Sequence, residues 1–163
     1  MPASLRNMTG IYLSCNGQLL LLYRQGGRVV SNLWIASAGG HFEPEELNDP
    51  ERCVLRELKE ELGLGRDDLE NLALRYIGLR SANGEIRQNY YFFADLKPDR
   101  FSAFASKEGR CRWVGYGEVL DYEMPLTARR VMEHWLAEGR FTDRLYAAVS
   151  SPGGFCFPVI SDV

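Results

Sequence analysis

Three glutamates fall close together in the stretch RELKEELG, at Glu57, Glu60 and Glu61. Positions i, i+3 and i+4 share one face of a helix, so a helical reading gathers the three carboxylates on one side. Within RELKEE only Arg56 and Lys59 are cationic, and like charges four residues apart weaken a helix. An ordinary solvated face with weak ion pairs is one reading of such a cluster. A site that receives a cation is the other. Hard oxygen donors with no thiolate or imidazole among them favour Mg²⁺, Mn²⁺ or Ca²⁺ over zinc.

The flanking residues predict the element that carries the cluster. Asp49 suits an N-cap, Pro50 the first helical position and Gly63 the C-terminal stop. Between them Val54, Leu55, Leu58 and Leu62 recur at helical spacing and form an apolar stripe opposite the glutamates. Upstream, Ile11 to Cys15 and Gln18 to Tyr23 predict two strands joined at Asn16-Gly17. LWIASAGG reads as one short strand ending in two glycines. Downstream, NLALRYIGLRS and EIRQNYYFFADL predict a second hairpin turning at Ala82-Asn83-Gly84, followed by a strand in GRCRWVGY. TARRVMEHWLAEGR predicts a second helix that buries Val131, Trp135 and Leu136 and ends at Gly139. Leu145 to Val149 and Phe155 to Ile160 read as short extended segments. Strands, helix, strands, helix is the order of one mixed-sheet α/β (α+β) domain.

GGHFEPEELNDPERCVLRELKEELGLG resembles the signature of the Nudix hydrolase family. That signature is a Gly, five residues, a Glu, seven residues, then Arg-Glu-aliphatic-any-Glu-Glu-any-Gly-aliphatic. Gly40 and Glu46 match its first part, and Arg56, Glu57, Leu58, Glu60, Glu61, Gly63 and Leu64 match its second. Nine residues separate Glu46 from Arg56, two more than the pattern has. The strict spacing would place Phe42 and Asn48 at the Gly and Glu positions. An insertion at LNDP is preferred, because added loop length costs little while altered helix spacing does not.

The resemblance implies a Nudix-type mixed sheet sandwiched between helices, with residues 1–163 as one domain, the box at 40–64 and a C-terminal tail from about 141. It also implies metal-dependent cleavage of a diphosphate linking a nucleoside to another moiety X, with Mg²⁺ or Mn²⁺ as cofactor. By the same resemblance Glu57, Glu60 and Glu61, with the Gly40 carbonyl, are the metal ligands. Arg56 is expected to hold a glutamate by a bidentate salt bridge. The general base is open between Glu60, Glu61 and Glu108 in ASKEGRC. Arg24 and Arg28 are candidates for phosphate or base, and Trp34 for stacking on a nucleobase. Exposed arginines and core aromatics are the plainer readings of these three. A Nudix-fold sensor that binds a nucleotide without cleaving it, and an acidic interaction domain with no metal, are the competing functions.

Composition narrows the partners. The net charge is −3 and charged residues are 25%, which gives no basic footprint for a nucleic acid polymer or an anionic membrane. Cys15, Cys53, Cys111 and Cys156 stand at no zinc-cluster spacing and fit a reducing compartment. No stretch approaches the ~20 apolar residues of a membrane span, and the first residues lack a signal-peptide pattern. The expectation is a cytoplasmic protein acting on a small nucleotide substrate. The apolar FCFPVI is expected to bury itself in the core or against a second subunit, the latter giving a homodimer.

Overall fold

The computed structural model describes residues 4–26 and 32–162. Two hairpins organise it. β1 (Ser4–Cys15) and β2 (Gln18–Arg24) turn at Asn16 and Gly17, with φ of 51° and 75°. β5 (Leu69–Ala82) and β6 (Glu85–Leu96) turn at Asn83 and Gly84, with φ of 54° and 75°. Positive φ at both central residues matches the twist of the flanking strands, which is why Asn-Gly marks both sites. β1 then lies parallel to β6, in register from Ser4 opposite Glu85 to Ser14 opposite Asp95.

The remaining strands complete one mixed sheet. β7 (Ala105–Ser106) and β8 (Gly109–Gly115) extend it beyond β2. β9 (Leu145–Ser151) runs parallel to β5, and β10 (Gly154–Cys156) and β11 (Val159–Ile160) pair with β9. α1 (Pro50–Leu62) covers one face, burying Val54 and Leu58 against Ile11, Leu13, Leu20 and Phe92. α2 (Leu126–Ala137) covers the other, burying Val131 and Trp135 against Tyr12, Leu21, Tyr91 and Phe93. Each such aliphatic side chain contributes about 1.5–3 kcal/mol by leaving water. A mixed sheet between helices is the expected architecture.

Three local readings change. LWIASAGG is two strands, β3 (Leu33–Ile35) on β2 and β4 (Ala38–His41) on β1. Ser37, fully buried between them, makes the switch. Its Oγ donates to Leu20 O at 2.6 Å and accepts from Leu13 N at 2.9 Å. The late helix ends at Ala137, two residues before Gly139. Gly139 instead begins a 3₁₀ turn packed on Tyr76, where a Cβ would collide with the phenol oxygen. In FCFPVI, Phe157 stacks on His134 with centroids 4.3 Å apart, while Val159 and Ile160 are 42% and 43% exposed.

Candidate active site

α1 is built as its sequence predicts. Asp49 Oδ1 accepts the Arg52 N–H at 3.0 Å, satisfying an otherwise orphan donor. Gly63, in the left-handed conformation at φ 71°, closes the helix through its N–H to Lys59 O. Ahead of the helix, Pro44–Glu46 forms a 3₁₀ turn, and Leu47 and Asn48 bridge it to Asp49. This turn points Glu46 inward, to 2% exposure.

Arg56 joins the two parts. Its Nε donates to Glu46 Oε1 at 2.7 Å and its Nη2 to Glu46 Oε2 at 3.0 Å. Its Nη1 reaches Glu57 Oε1 at 2.8 Å and Glu60 Oε2 at 3.2 Å. Nη2 also donates to the His41 carbonyl at 3.1 Å. The insertion frame, with Glu46 in the box, is therefore the one that places a glutamate on the arginine. The Arg56 hydrogen bonds pull the Glu46 carboxyl down to about 2 and push the guanidinium up. Cys53, buried below this pair, touches Thr9, Arg56 and the His41 carbonyl, and burial pushes its thiol up to about 11.

Glu57 and Glu61 lie on the other side of Arg56, in a cleft of about 340 Å³. Arg24, Gly39, Gly40 and Glu108 line the same cleft. A Cβ at Gly40 would overlap the Glu57 carboxylate, so glycine alone lets that side chain lie on the β4 backbone. Burial raises the Glu57 carboxyl, against the pull of Arg56. Burial, then the charge of Glu57, raises Glu61 to about 8, against a hydrogen bond from the Gly39 backbone. Arg24 Nη2 stands 3.2 Å from Glu108 Oε2 on the facing wall.

Some expected site residues are elsewhere. Glu60, with its side chain 58% exposed, points outward and does not line the cleft. Trp34 packs on Tyr23 and Tyr122, with centroids 5.1 and 5.0 Å away, as a partly buried core aromatic outside the cleft. Arg28 lies outside the described residues. Sequence reasoning missed Glu43, which lines the cleft and sits 3.9 Å from Arg56 Nε, and Cys53, whose only signal was an apolar-face position on the helix.

Among the described residues no three acidic, histidine or cysteine side chains are gathered closely enough to hold a metal ion. The chemistry of the donors nonetheless fits a hard cation. Glu57 and Glu61 are crowded, partly dry and short of positive charge, which a divalent ion would relieve.

The NUDIX domain family matches residues 5–136. The chain belongs to the Nudix family. That places it among hydrolases of pyrophosphate bonds. A mutator MutT protein from Bacillus halodurans is 25% identical, with a TM-score of 0.65 over 96% of this chain and 95% of the other. The MutT protein from Methanosarcina mazei Go1 is 19% identical, with a TM-score of 0.68 over 85% and 97%. A C. elegans Ap4A hydrolase is 19% identical, with a TM-score of 0.62 over 81% and 96%. These last two likenesses speak to fold alone. No curated protein matches the chain significantly. No helix among the described residues is long and apolar enough to cross a membrane.

Proposed function

We propose that this Nudix hydrolase is a metal-dependent pyrophosphohydrolase. Its substrate is a nucleoside diphosphate linked to X, of the kind a housecleaning enzyme removes, such as an oxidised nucleoside triphosphate like 8-oxo-dGTP. The observation that supports this best is the half of the box that faces the cleft. Glu57 and Glu61 face an open cleft with their carboxyls pushed up, while Arg56 is already committed to Glu46.

Glu57 and Glu61, with the Gly40 carbonyl, would hold Mg²⁺ or Mn²⁺, which would supply neutralising charge and Lewis acidity to a polyanionic diphosphate. Arg56 fixes Glu57 from behind while its other face is locked by Glu46. Arg24, paired with Glu108 at the cleft wall, can meet a phosphate oxygen there. Glu108, which lines the same cleft as Glu61, takes the proton of the attacking water. The open cleft admits water and a flexible polyphosphate. We read the chain as one domain over residues 1–163, working in the cytoplasm.

The test is a product-mass panel of nucleoside-diphosphate compounds with Mg²⁺ or Mn²⁺, with E57Q and E61Q run beside the parent. Metal-dependent cleavage that fails in the variants supports the hydrolase and names X. Binding without cleavage would convert the reading to a sensor module. No cleavage and no metal-induced thermal shift would leave an acidic domain.

A further inference from the structure

A second cavity, about 170 Å³, opens on the α2 side of the sheet and shares Met8, Arg24, Ile35 and Gly39 with the cleft. Its floor follows from strand register. Residues directly opposite one another on neighbouring strands share a face. Arg80 on β5, Arg87 on β6 and Arg6 on β1 are such partners, and all three line the cavity. Behind them come Gly78, Asn89 and Met8, and then Tyr76, Tyr91 and Gly10. The two glycines let Thr127 and Ala36 close in as walls, where a Cβ would stand 3.2 Å from each.

The arginine row is under-compensated. Three guanidiniums start from strands about 5 Å apart, and like charges placed opposite each other weaken a sheet. Arg87 pairs with Glu85 at 2.9 Å. Arg6 Nε donates to His41 Nε2 at 3.0 Å, with no carboxylate partner among the described residues. The Arg80 guanidinium has no ion pair or hydrogen bond among the described residues. None of the three is fully exposed; each is half-buried at the cavity rim.

A second observation comes from inside the cavity. Tyr12, which lines it, is fully buried, and its phenol oxygen has no hydrogen-bond partner among the described residues. A buried hydroxyl is rarely left so unless something else completes it. The cavity thus combines a hydrogen-bonding group at depth with cations at the rim. Its depth suits a small molecule better than a polymer laid across a surface.

We propose that, for substrates in which X is larger than a phosphate, Arg6, Arg80 and Arg87 form a subsite for an anionic group on a moiety flanking the diphosphate, a phosphate monoester or carboxylate separate from the diphosphate that is cut. The ring or sugar bearing that group sits in the cavity against Tyr12. The proposal rests on reading the adjoining cleft as the diphosphate site, since that is what brings this moiety across Gly39 into this cavity.

The test uses matched ligands that differ in one anionic group. Binding is titrated without divalent metal for NADP⁺ against NAD⁺, UDP-glucuronate against UDP-glucose, and nucleoside 2′,5′- and 3′,5′-bisphosphates against the 5′-monophosphates of all four bases. The diphosphate common to the two members of the first two pairs cancels in their comparison. The charged member of at least one pair is expected to bind about tenfold more tightly. The preference should fall towards unity in Arg80→Gln and in Arg87→Gln, and weaken with salt. Which pair responds tells phosphate from carboxylate. No preference in any pair, or one that survives both variants, overturns the subsite. Hydrolysis of the same diphosphates with Mg²⁺ is scored separately: cleavage without a binding preference sinks the subsite alone, and preference without cleavage of any substrate supports the subsite while counting against the hydrolase.

Discussion

Glu46→Gln probes the buried half of the site. Glu46 accepts two hydrogen bonds from Arg56 and one from the Glu43 backbone, at 2.7, 3.0 and 3.0 Å, with its side chain 3% exposed. The fold lowers its carboxyl from 4.5 to about 2, chiefly through the arginine hydrogen bonds. A lowered carboxyl contributes stability that is fully present above the unfolded value of 4.5 and is lost as pH falls through 2. At about 1.4 kcal/mol per pH unit, that drop is worth about 3 kcal/mol at neutral pH. Glutamine keeps the shape and loses the charge, much as a protonated glutamate would. Arg56 retains Glu57, Glu60 and the His41 carbonyl, so the loss should not exceed this figure. Urea unfolding of parent and variant, both free of metal, should therefore show a gap of about 3 kcal/mol at pH 7, shrinking to about 1 kcal/mol at pH 3. A gap below about 1 kcal/mol at neutral pH, or one that does not change with pH, would refute the assignment of Glu46 as the anchor of Arg56.

Glu61→Gln should act in the opposite sense. The fold raises Glu61 from 4.5 to about 8, so its ionisation costs stability increasingly as pH rises through that window. After discounting for solvent screening, the metal-free variant should gain about 1–2 kcal/mol at pH 8 and nothing at pH 4, while its Mg²⁺-induced thermal shift is lost; a variant less stable than the parent at pH 8 would contradict this. Glu108→Gln should lower turnover about 10²- to 10³-fold with little change in melting temperature, and near-parent turnover would remove Glu108 from the chemistry. Gly40→Ala should displace the Glu57 carboxylate and abolish the metal-induced thermal shift at little cost in stability, because only the end of a flexible side chain must move; an unchanged metal response would mean that Glu57 does not need this glycine.

What the sequence shows well is what local chemistry decides. Asp49, Pro50 and Gly63 bound α1 because cap and stop act within a single turn, and both Asn-Gly dipeptides turn their hairpins for a similarly local reason. Helical spacing also puts Glu57, Glu60 and Glu61 on one side. It does not say how deep each lies, because β4 packs against only part of that side, leaving Glu60 in solvent. Ser37 is invisible in the sequence for another reason. Its hydroxyl links β1 to β2, and those contacts exist only once three segments have met. Arg6, Arg80 and Arg87 are scattered along the chain, and only the parallel register of β1 with β6 and the antiparallel register of β6 with β5 align them.

The site divides into a satisfied half and an unsatisfied half, and that division fits its chemistry. Glu46, Cys53 and the His41 carbonyl fix Arg56 from below, so the guanidinium reaches Glu57 with one nitrogen and does not swing across to Glu61. A looser arginine would stabilise the protein by pairing with those glutamates, and would compete with any cation for them. Locking Arg56 to a buried partner makes it an orienter of Glu57 and keeps negative charge available at the cleft. Stability lost at Glu57 and Glu61, whose carboxyls are pushed up, is opposed within the same box by Glu46, whose carboxyl is pulled down.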